Sequence, residues 1–316
     1  MILALGIVAL CVAGAVALTT AAEPSPPRHA APKAAPTVPP SGGDALDLGT
    51  APTPLSVRLA EPGDVVRVRF KHPPKAGLLF DVGTGKVLWR RNPMRRLPIA
   101  SLTKMMTALV VTDRLPQHAK VLITSQALHY RGSAVGVLPR GKRIGVSTML
   151  NGLLLPSGND AARALAIRAG GTISSFVALM NERAAKMGLA CTHYSSPDGY
   201  VDRGNQSCAA DLAAIGRAVL RQPRLSPIVG RATAVLPFPI KGHKLYLTNN
   251  NPLLRRRYPG VTGIKTGYTD AAGLCIVATA RRGPIQLGVV LLHTPDWDRQ
   301  ARQLLDRGFA AELTRR

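Results

Sequence analysis

Ser101 and Lys104 stand three residues apart in the stretch Ala100-Ser101-Leu102-Thr103-Lys104-Met105-Met106-Thr107-Ala108-Leu109. A serine hydroxyl is a poor nucleophile until a base takes its proton, and a lysine amine becomes such a base when burial or neighbouring cations lower its pKa. Positions i and i+3 of a helix share a face, so this spacing brings the amine to the hydroxyl. Pro98 predicts an extended run-in, and Ser101 is a favoured residue at a helix start. The apolar residues that follow predict a helix anchored in a core, with the pair held in low dielectric. Nucleophilic catalysis by the serine oxygen is the chemistry these residues suit.

Two further short patterns bear on that chemistry. Ser157-Gly158-Asn159 begins 56 residues after Ser101, between Leu153-Leu154-Leu155-Pro156 and Asp160-Ala161-Ala162. Pro156 and Gly158 predict a tight turn between helices that projects a hydroxyl and a carboxamide into a cleft. Lys265-Thr266-Gly267 begins 108 residues after Ser157 and reads as a strand whose glycine lets a ligand backbone come close. In isolation Ser157-Gly158-Asn159 reads as a helix cap, Lys265 as an exposed strand lysine, and S-x-x-K as chance. Three patterns in this order, each in the setting its role requires, read as one site.

The elements that must position them follow from hydrophobic periodicity and turn residues. Leu78-Leu79-Phe80 and Val87-Leu88-Trp89 flank Asp81 to Lys86, which predicts a hairpin. Helical patterns dominate from Thr148 to about Gly188 and again from Ala209 to Leu220. Strand-like segments return at Ala234 to Phe238, Leu245 to Leu247, Gly260 to Thr266, Gly273 to Arg281 and Gln286 to His293, before an amphipathic helix from Trp297 to Leu313. A hairpin, a helical block, several strands and a closing helix make an α+β chain without internal repeats.

With these residues in place the sequence resembles the D-alanyl-D-alanine carboxypeptidase family, the low-molecular-mass penicillin-binding proteins with S-x-x-K, S-x-N and K-T-G motifs. The resemblance extends to Phe80-Asp81-Val82-Gly83-Thr84-Gly85, Ser157 to Ala162, Met180-Asn181, Gly188-Leu189, Ser196-Pro197-Asp198-Gly199 and Gly263 to Thr269, and covers roughly Ala76 to Phe309. It implies a penicillin-binding/β-lactamase-like fold: an antiparallel sheet packed by helices, a mostly helical subdomain, and an active site between them. It implies that Ser101 attacks the carbonyl between the last two D-alanines of a peptidoglycan stem peptide, with Lys104 as base. Ser157 would pass a proton to the leaving amine, and Asn159 would hold the peptide and position Lys104. Lys265 would add positive charge for the terminal carboxylate, Thr266 would hydrogen-bond it, and the N–H groups of Ser101 and Tyr268 would form the oxyanion hole beside Gly267. No cofactor is implied, and β-lactams are expected as covalent inhibitors.

The chain also departs from the family. Members often carry an arginine shortly before the final helix that touches the substrate carboxylate; here Trp297-Asp298-Arg299-Gln300 occupies that neighbourhood, with tryptophan near the expected place and Arg299 as the nearby candidate. The chain leaves no room after its last strand for the small β domain and terminal amphipathic anchor of some relatives, so membrane attachment is expected at the N-terminus. A class A β-lactamase needs a glutamate to drive deacylation, and the two glutamates after residue 76, Glu182 and Glu312, lie in no E-x-x-N pattern. A D,D-endopeptidase that cuts peptidoglycan cross-links shares the motifs and stays open beside the carboxypeptidase.

Composition bounds these readings. Of 41 basic and 17 acidic residues, 35 and 12 lie from Lys75 onward, so the folded part carries the excess. That surface suits the anionic polymers or lipids of a cell envelope; an arginine-favouring codon bias would leave the same mark. Basic residues without aromatic interleaving argue against a nucleic-acid binder. Residues 1–22 resemble an export signal or a retained anchor, and both fit the short apolar run. Twelve of the 26 prolines fall in residues 23–75, which reads as an extended tether ahead of the enzymatic domain, residues 76–316. Within it, Val65 to Phe70 alternates like a short strand, which would end the tether earlier. Cys191 and Cys208, 17 residues apart, suit a disulfide in an exported protein, and no cysteine or histidine spacing suits a metal.

Overall fold

The computed structural model of the chain describes residues 53–60, 64–200 and 203–314. Strands β1 (Ala76–Asp81) and β2 (Val87–Arg91) form the expected hairpin, and β3 (Leu97–Pro98) leads through a 3-10 turn, Ala100–Thr103, into helix α1 (Lys104–Arg114). The helical block contains β4 (Lys120–Leu122), α2 (Ser125–Leu128), β5 (Arg143–Gly145), α3 (Val146–Leu154), α4 (Asn159–Gly170) and α5 (Ile173–Lys186). After β6 (Gln206–Ser207) come α6 (Ala209–Arg221) and α7 (Ser226–Val229), then the hairpin of β7 (Thr233–Pro237) and β8 (Lys244–Thr248). The short α8 (Pro252–Arg255), strands β9 (Val261–Thr269), β10 (Gly273–Arg282) and β11 (Ile285–Thr294), and α9 (Trp297–Leu313) close the domain.

One antiparallel sheet, in the order β2-β1-β11-β10-β9, forms the backbone of the fold. Side chains alternate across it with period two. Leu78, Phe80, Val277, Val290 and Leu292 face the core shared with the helical block, while Leu79, Ile276, Val289 and Leu291 face Leu304, Leu305 and Phe309 of α9. Both faces are therefore covered, which is why β10 and β11 read as nearly continuous apolar runs. Strand β9 lies at the end of the sheet, and its outer side meets the 3-10 turn of Ser101. The α+β expectation holds, with the helical block packed on one face of the sheet.

Residues 53–60 and 64–75, expected to belong to the tether, pack on the domain. Arg217 of α6 is 2% exposed, and its guanidinium donates to Val82 O (2.8 Å), Gly83 O (2.9 Å), Leu55 O (2.7 Å) and Ser56 O (2.8 Å). It thereby fastens the incoming segment to the turn after β1. The alternation at Val65 to Phe70 does not yield a strand. Val66 N donates to Leu88 O (2.9 Å), but Arg90 N is taken by the Asp64 carboxylate (3.1 Å), which interrupts the ladder along the edge of β2. The apolar members of that run pack on the α9-side core instead, with Phe70 edge-on to Trp89 at 6.0 Å. The expected signal or anchor, residues 1–22, and the first part of the tether lie outside the described residues. Among the described residues no single helix is long and apolar enough to cross a membrane.

Arg217→Met retains bulk but leaves four carbonyls without their donor. It is expected to cost about 3 kcal/mol, a fall of roughly 6–12 °C in thermal midpoint for a domain of this size. Thermal unfolding followed by circular dichroism checks it, and an unchanged midpoint would contradict the stapling role.

Candidate active site

The turn that carries Ser101 begins differently from the expected helix. Ala100–Thr103 is 3-10, the α-helix starts at Lys104, and Ser101 caps nothing. Its hydroxyl instead lies 2.8 Å from Lys104 Nζ, which also donates to Asp198 O at 2.7 Å. The i, i+3 spacing works here through the tighter turn, in which side chains three apart eclipse. Ala100, just before the serine, has φ +47, a left-handed conformation that costs roughly 1–2 kcal/mol for a residue with a Cβ. The loop Ser196 to Gly199 clasps this region: Thr107 Oγ1 donates to Pro197 O (2.6 Å), and Gly199, φ +72, sits where a Cβ would lie 2.0 Å from Ala100 O. Only glycine fits there.

Lys104 is completely buried. Loss of hydration lowers its pKa to about 8, a shift opposed by the carboxylates of Asp198 and Asp160. At pH 7 about one molecule in ten therefore carries the neutral amine that a base requires. Lys265, 1% exposed, donates to Thr266 O at 2.8 Å; burial and then the charge of Lys104 press its pKa well below the ordinary lysine range.

Ser157 and Asn159 come from the turn between α3 and α4, as the Pro156–Gly158 spacing predicts. Ser157 has φ +68. The segment from Arg131 to Gly136 holds this turn. Asn159 Nδ2 donates to Arg131 O, Asn159 N to Ser133 O (2.8 Å), and Ser133 Oγ to Ser157 O (3.1 Å). The buried Asp160 carboxylate accepts from Val135 N and Gly136 N, both at 2.9 Å. Sequence reasoning gave Asp160 no role, yet it both clamps the turn and stabilises the charged form of Lys104. Ser157 Oγ and Asn159 Oδ1 are buried without a hydrogen-bond partner among the described residues. A buried polar atom left unpaired beside a cleft is poised for a ligand.

Gly267 of β9 has a more specific reason than the expected ligand approach. A Cβ on it would lie 2.9 Å from Ser101 N and 3.0 Å from Ile99 O. The glycine lets the sheet edge press against the nucleophile's own backbone. Ser101, Ser157, Asn159, Thr266, Gly267 and Tyr268 then line one cleft of about 720 Å³. Lys104 and Lys265 lie beneath it. The eight residues singled out in the sequence thus converge.

Several lining residues escaped sequence reasoning: Tyr200, Asn250, Arg255, Asp270 and, as a wall rather than a substitute arginine, Trp297. Arg299 points elsewhere, exposed and 3.5 Å from Asp296. Arg255 is the cation at the cleft surface, placed there by α8, whose start Asn251 caps by accepting from Leu253 N (3.0 Å). The only signal for it was Asn-Pro followed by an arginine run. Cys191 and Cys208 form a disulfide, with the Asp211 carboxylate accepting from Cys191 N (2.8 Å) and Thr192 Oγ1 (2.7 Å). Those three side chains meet within ligand distance, but a disulfide offers no thiolate to a metal.

Residues 66–296 match the family model for D-alanyl-D-alanine carboxypeptidase, peptidase family S11. The chain is 34% identical over 247 residues to the D-alanyl-D-alanine carboxypeptidase DacF of Bacillus subtilis, an alignment of 76% of this chain and 63% of that protein. It is 36% identical over 247 residues to the D-alanyl-D-alanine carboxypeptidase DacB2 of Mycobacterium tuberculosis, covering 75% and 83% respectively. The crystal structure of a D-alanyl-D-alanine carboxypeptidase from Mycobacterium tuberculosis superposes with a TM-score of 0.72 at 33% identity, over 79% of this chain and 96% of that one. The chain thus spans less than two thirds of the Bacillus relative and most of the mycobacterial ones.

A lysine base works only when neutral. With the Lys104 pKa near 8, the second-order rate of Ser101 acylation by penicillin is expected to rise about tenfold per pH unit below that value and to level off above it. Stopped-flow acylation between pH 5.5 and 9.5 measures this, and a flat profile would rule Lys104 out as the base.

Proposed function

The chain belongs to the D-alanyl-D-alanine carboxypeptidase family, and we propose that it removes the terminal D-alanine from peptidoglycan stem pentapeptides through an acyl-enzyme on Ser101. The observation that carries this reading is the 2.8 Å contact between the Ser101 hydroxyl and a buried amine of lowered pKa, at the floor of a cleft lined by unpaired polar atoms.

In this reading the peptide lies along the outer edge of β9 as an added strand, a common way for an edge to recognise an extended ligand. Its terminal carboxylate sits by Thr266, and its scissile carbonyl points to the N–H groups of Ser101 and Tyr268. Neutral Lys104 takes the Ser101 proton as Oγ bonds to the carbonyl carbon. The oxyanion is held by the two N–H groups, each donor contributing about 2.7–4 kcal/mol at the transition state. Ser157 passes a proton to the departing amine, the C–N bond breaks, and D-alanine leaves. Water then attacks the ester, giving up a proton to the same base, and Ser101 regains its hydrogen. Asn159 Oδ1, buried and unpaired, accepts from a peptide N–H.

The cation for the carboxylate is divided between two residues. Buried Lys265 shapes the potential from below, while the exposed guanidinium of Arg255, which has no ion-pair partner among the described residues, meets the carboxylate from the cleft wall. The protein acts outside the cytoplasm, where its substrate is, and the N-terminal apolar run exports or anchors it. The excess of basic residues, including exposed Arg255, Arg256 and Arg257, draws it to the anionic envelope. β-Lactams acylate Ser101 and leave slowly, since Glu182 lies exposed on α5 with Lys186, and Glu312 lies near the end of α9.

Incubation of the protein with an L-Ala-γ-D-Glu-L-Lys-D-Ala-D-Ala peptide is expected to release D-alanine. Release should vanish in Ser101→Ala and after penicillin treatment. Penicillin-insensitive release, or none at all, would overturn the assignment. Arg255→Gln is expected to raise KM about tenfold with a smaller change in kcat; an unchanged KM would remove Arg255 from carboxylate binding.

A further inference from the structure

Among the described residues that line the cleft, two carry a full charge, Arg255 and Asp270. Asp270 follows β9 directly and is exposed. Its Oδ1 accepts from the Tyr268 hydroxyl at 3.0 Å, and no lysine or arginine pairs with it among the described residues. The tyrosine bond fixes the carboxylate on the cleft side and leaves its second oxygen for a ligand. A carboxylate without an ion-pair partner, in a cleft whose other lining charge is a guanidinium, suits a ligand that carries both an anion and an amine.

The register along β9 says which amine, on the carboxypeptidase reading given above. With the terminal carboxylate at Thr266 and the scissile carbonyl at the Tyr268 N–H, the bound peptide runs antiparallel to β9. Each residue upstream of the acyl D-alanine then advances about 3.3 Å toward Thr269 and Asp270. Asp270 is the turn residue directly after the end of β9, two positions beyond Tyr268, from whose hydroxyl it accepts. The residue just before the acyl D-alanine in a stem peptide is the diamino acid, whose side-chain amine is the group acylated when stems are cross-linked. A free amine is a cation; an acylated one is neutral.

We propose that Asp270 is a specificity-determining residue that recognises the free side-chain ammonium of the diamino acid in the third position of the stem peptide. The enzyme thereby trims stems whose amine is free in preference to stems whose amine is already engaged in a cross-link. Lysine and diaminopimelate share this amine, so the contact reads its availability and not the identity of the residue. The interaction lies at the cleft mouth and is screened by salt.

The test compares full-length protein acting on L-Ala-γ-D-Glu-L-Lys-D-Ala-D-Ala and on the same peptide with the lysine Nε-acetylated, by kcat/KM for D-alanine release. The wild type is expected to favour the free amine about fivefold, the preference shrinking in high salt. Asp270→Asn should bring the two peptides to parity, and Asp270→Glu should retain the preference. A role of Asp270 confined to holding Tyr268 would depress both peptides alike and leave their ratio intact. A ratio near one in the wild type, or an undiminished ratio in Asp270→Asn, overturns the assignment while D-alanine release stands. Absence of release from both peptides overturns the carboxypeptidase reading and this assignment with it.

Discussion

Two amines buried within range of each other's charge set the terms for the rest of this molecule. Lys104 and Lys265 are each at most 1% exposed, and burying an ammonium is among the more costly things a fold can do. The surroundings offset only part of that cost. Asp198 contributes a carbonyl oxygen and a nearby carboxylate, Asp160 contributes charge, and Thr266 contributes one carbonyl. The remainder appears as a lowered pKa at both lysines. An arrangement that weakens the fold is therefore the same one that makes a neutral amine available at physiological pH. Complete compensation of Lys104 by a direct carboxylate partner would stabilise the domain and disarm it.

The second constraint is proximity. Strand β9, the 3-10 turn of Ser101 and the Ser196–Gly199 loop press together so closely that two positions accept no Cβ, Gly267 against Ser101 N and Gly199 against Ala100 O. Two residues with side chains, Ala100 and Ser157, are held at positive φ next to or at a reactive hydroxyl. Backbone strain of this kind persists only where surrounding contacts over-determine it. Here those contacts are identifiable: the Asp160 carboxylate and the Arg131–Gly136 segment on one side, and the clasp of Thr107 on Pro197 on the other. The geometry of the cleft is thus carried by backbone packing between segments distant in sequence, with few side-chain contacts among the residues that line it.

That division explains what could be read from the chain and what could not. The long periodic elements were legible: α9 runs over the expected Trp297 to Leu313, and the apolar runs of β10 and β11 are strands covered on both faces. Ser101, Lys104 and Ser157-Gly158-Asn159 were legible because their chemistry resides in local spacing. Residues that act through tertiary placement were not. Asp160 looks like a first-turn helix residue, Asp198 serves partly through its backbone oxygen, and Arg255 belongs to an arginine run with two solvent-facing neighbours. The alternation at Val65 to Phe70 misled because period two signals an apolar face and says nothing about whether a ladder partner is free. Asp64 had already taken the N–H of Arg90 on the neighbouring edge.

The split between lysines below the cleft and an arginine at its wall follows from the physics of the two side chains. On the proposed reading, a lysine can lose its proton within the range burial can reach, so Lys104 suits the floor, where a proton must move. A guanidinium keeps its charge at any pH the protein meets and offers a planar fork to a carboxylate, so on the same reading Arg255 suits the wall, where a charge would be recognised. Exchanging the two would fail in both places: a buried arginine could not act as a base, and a lysine at the wall would surrender the bidentate fit. That Arg299 at the start of α9 turns away to Asp296 is then no deficit. Trp297 lines the cleft there, and α8 delivers the guanidinium of Arg255 to the same cleft by another path.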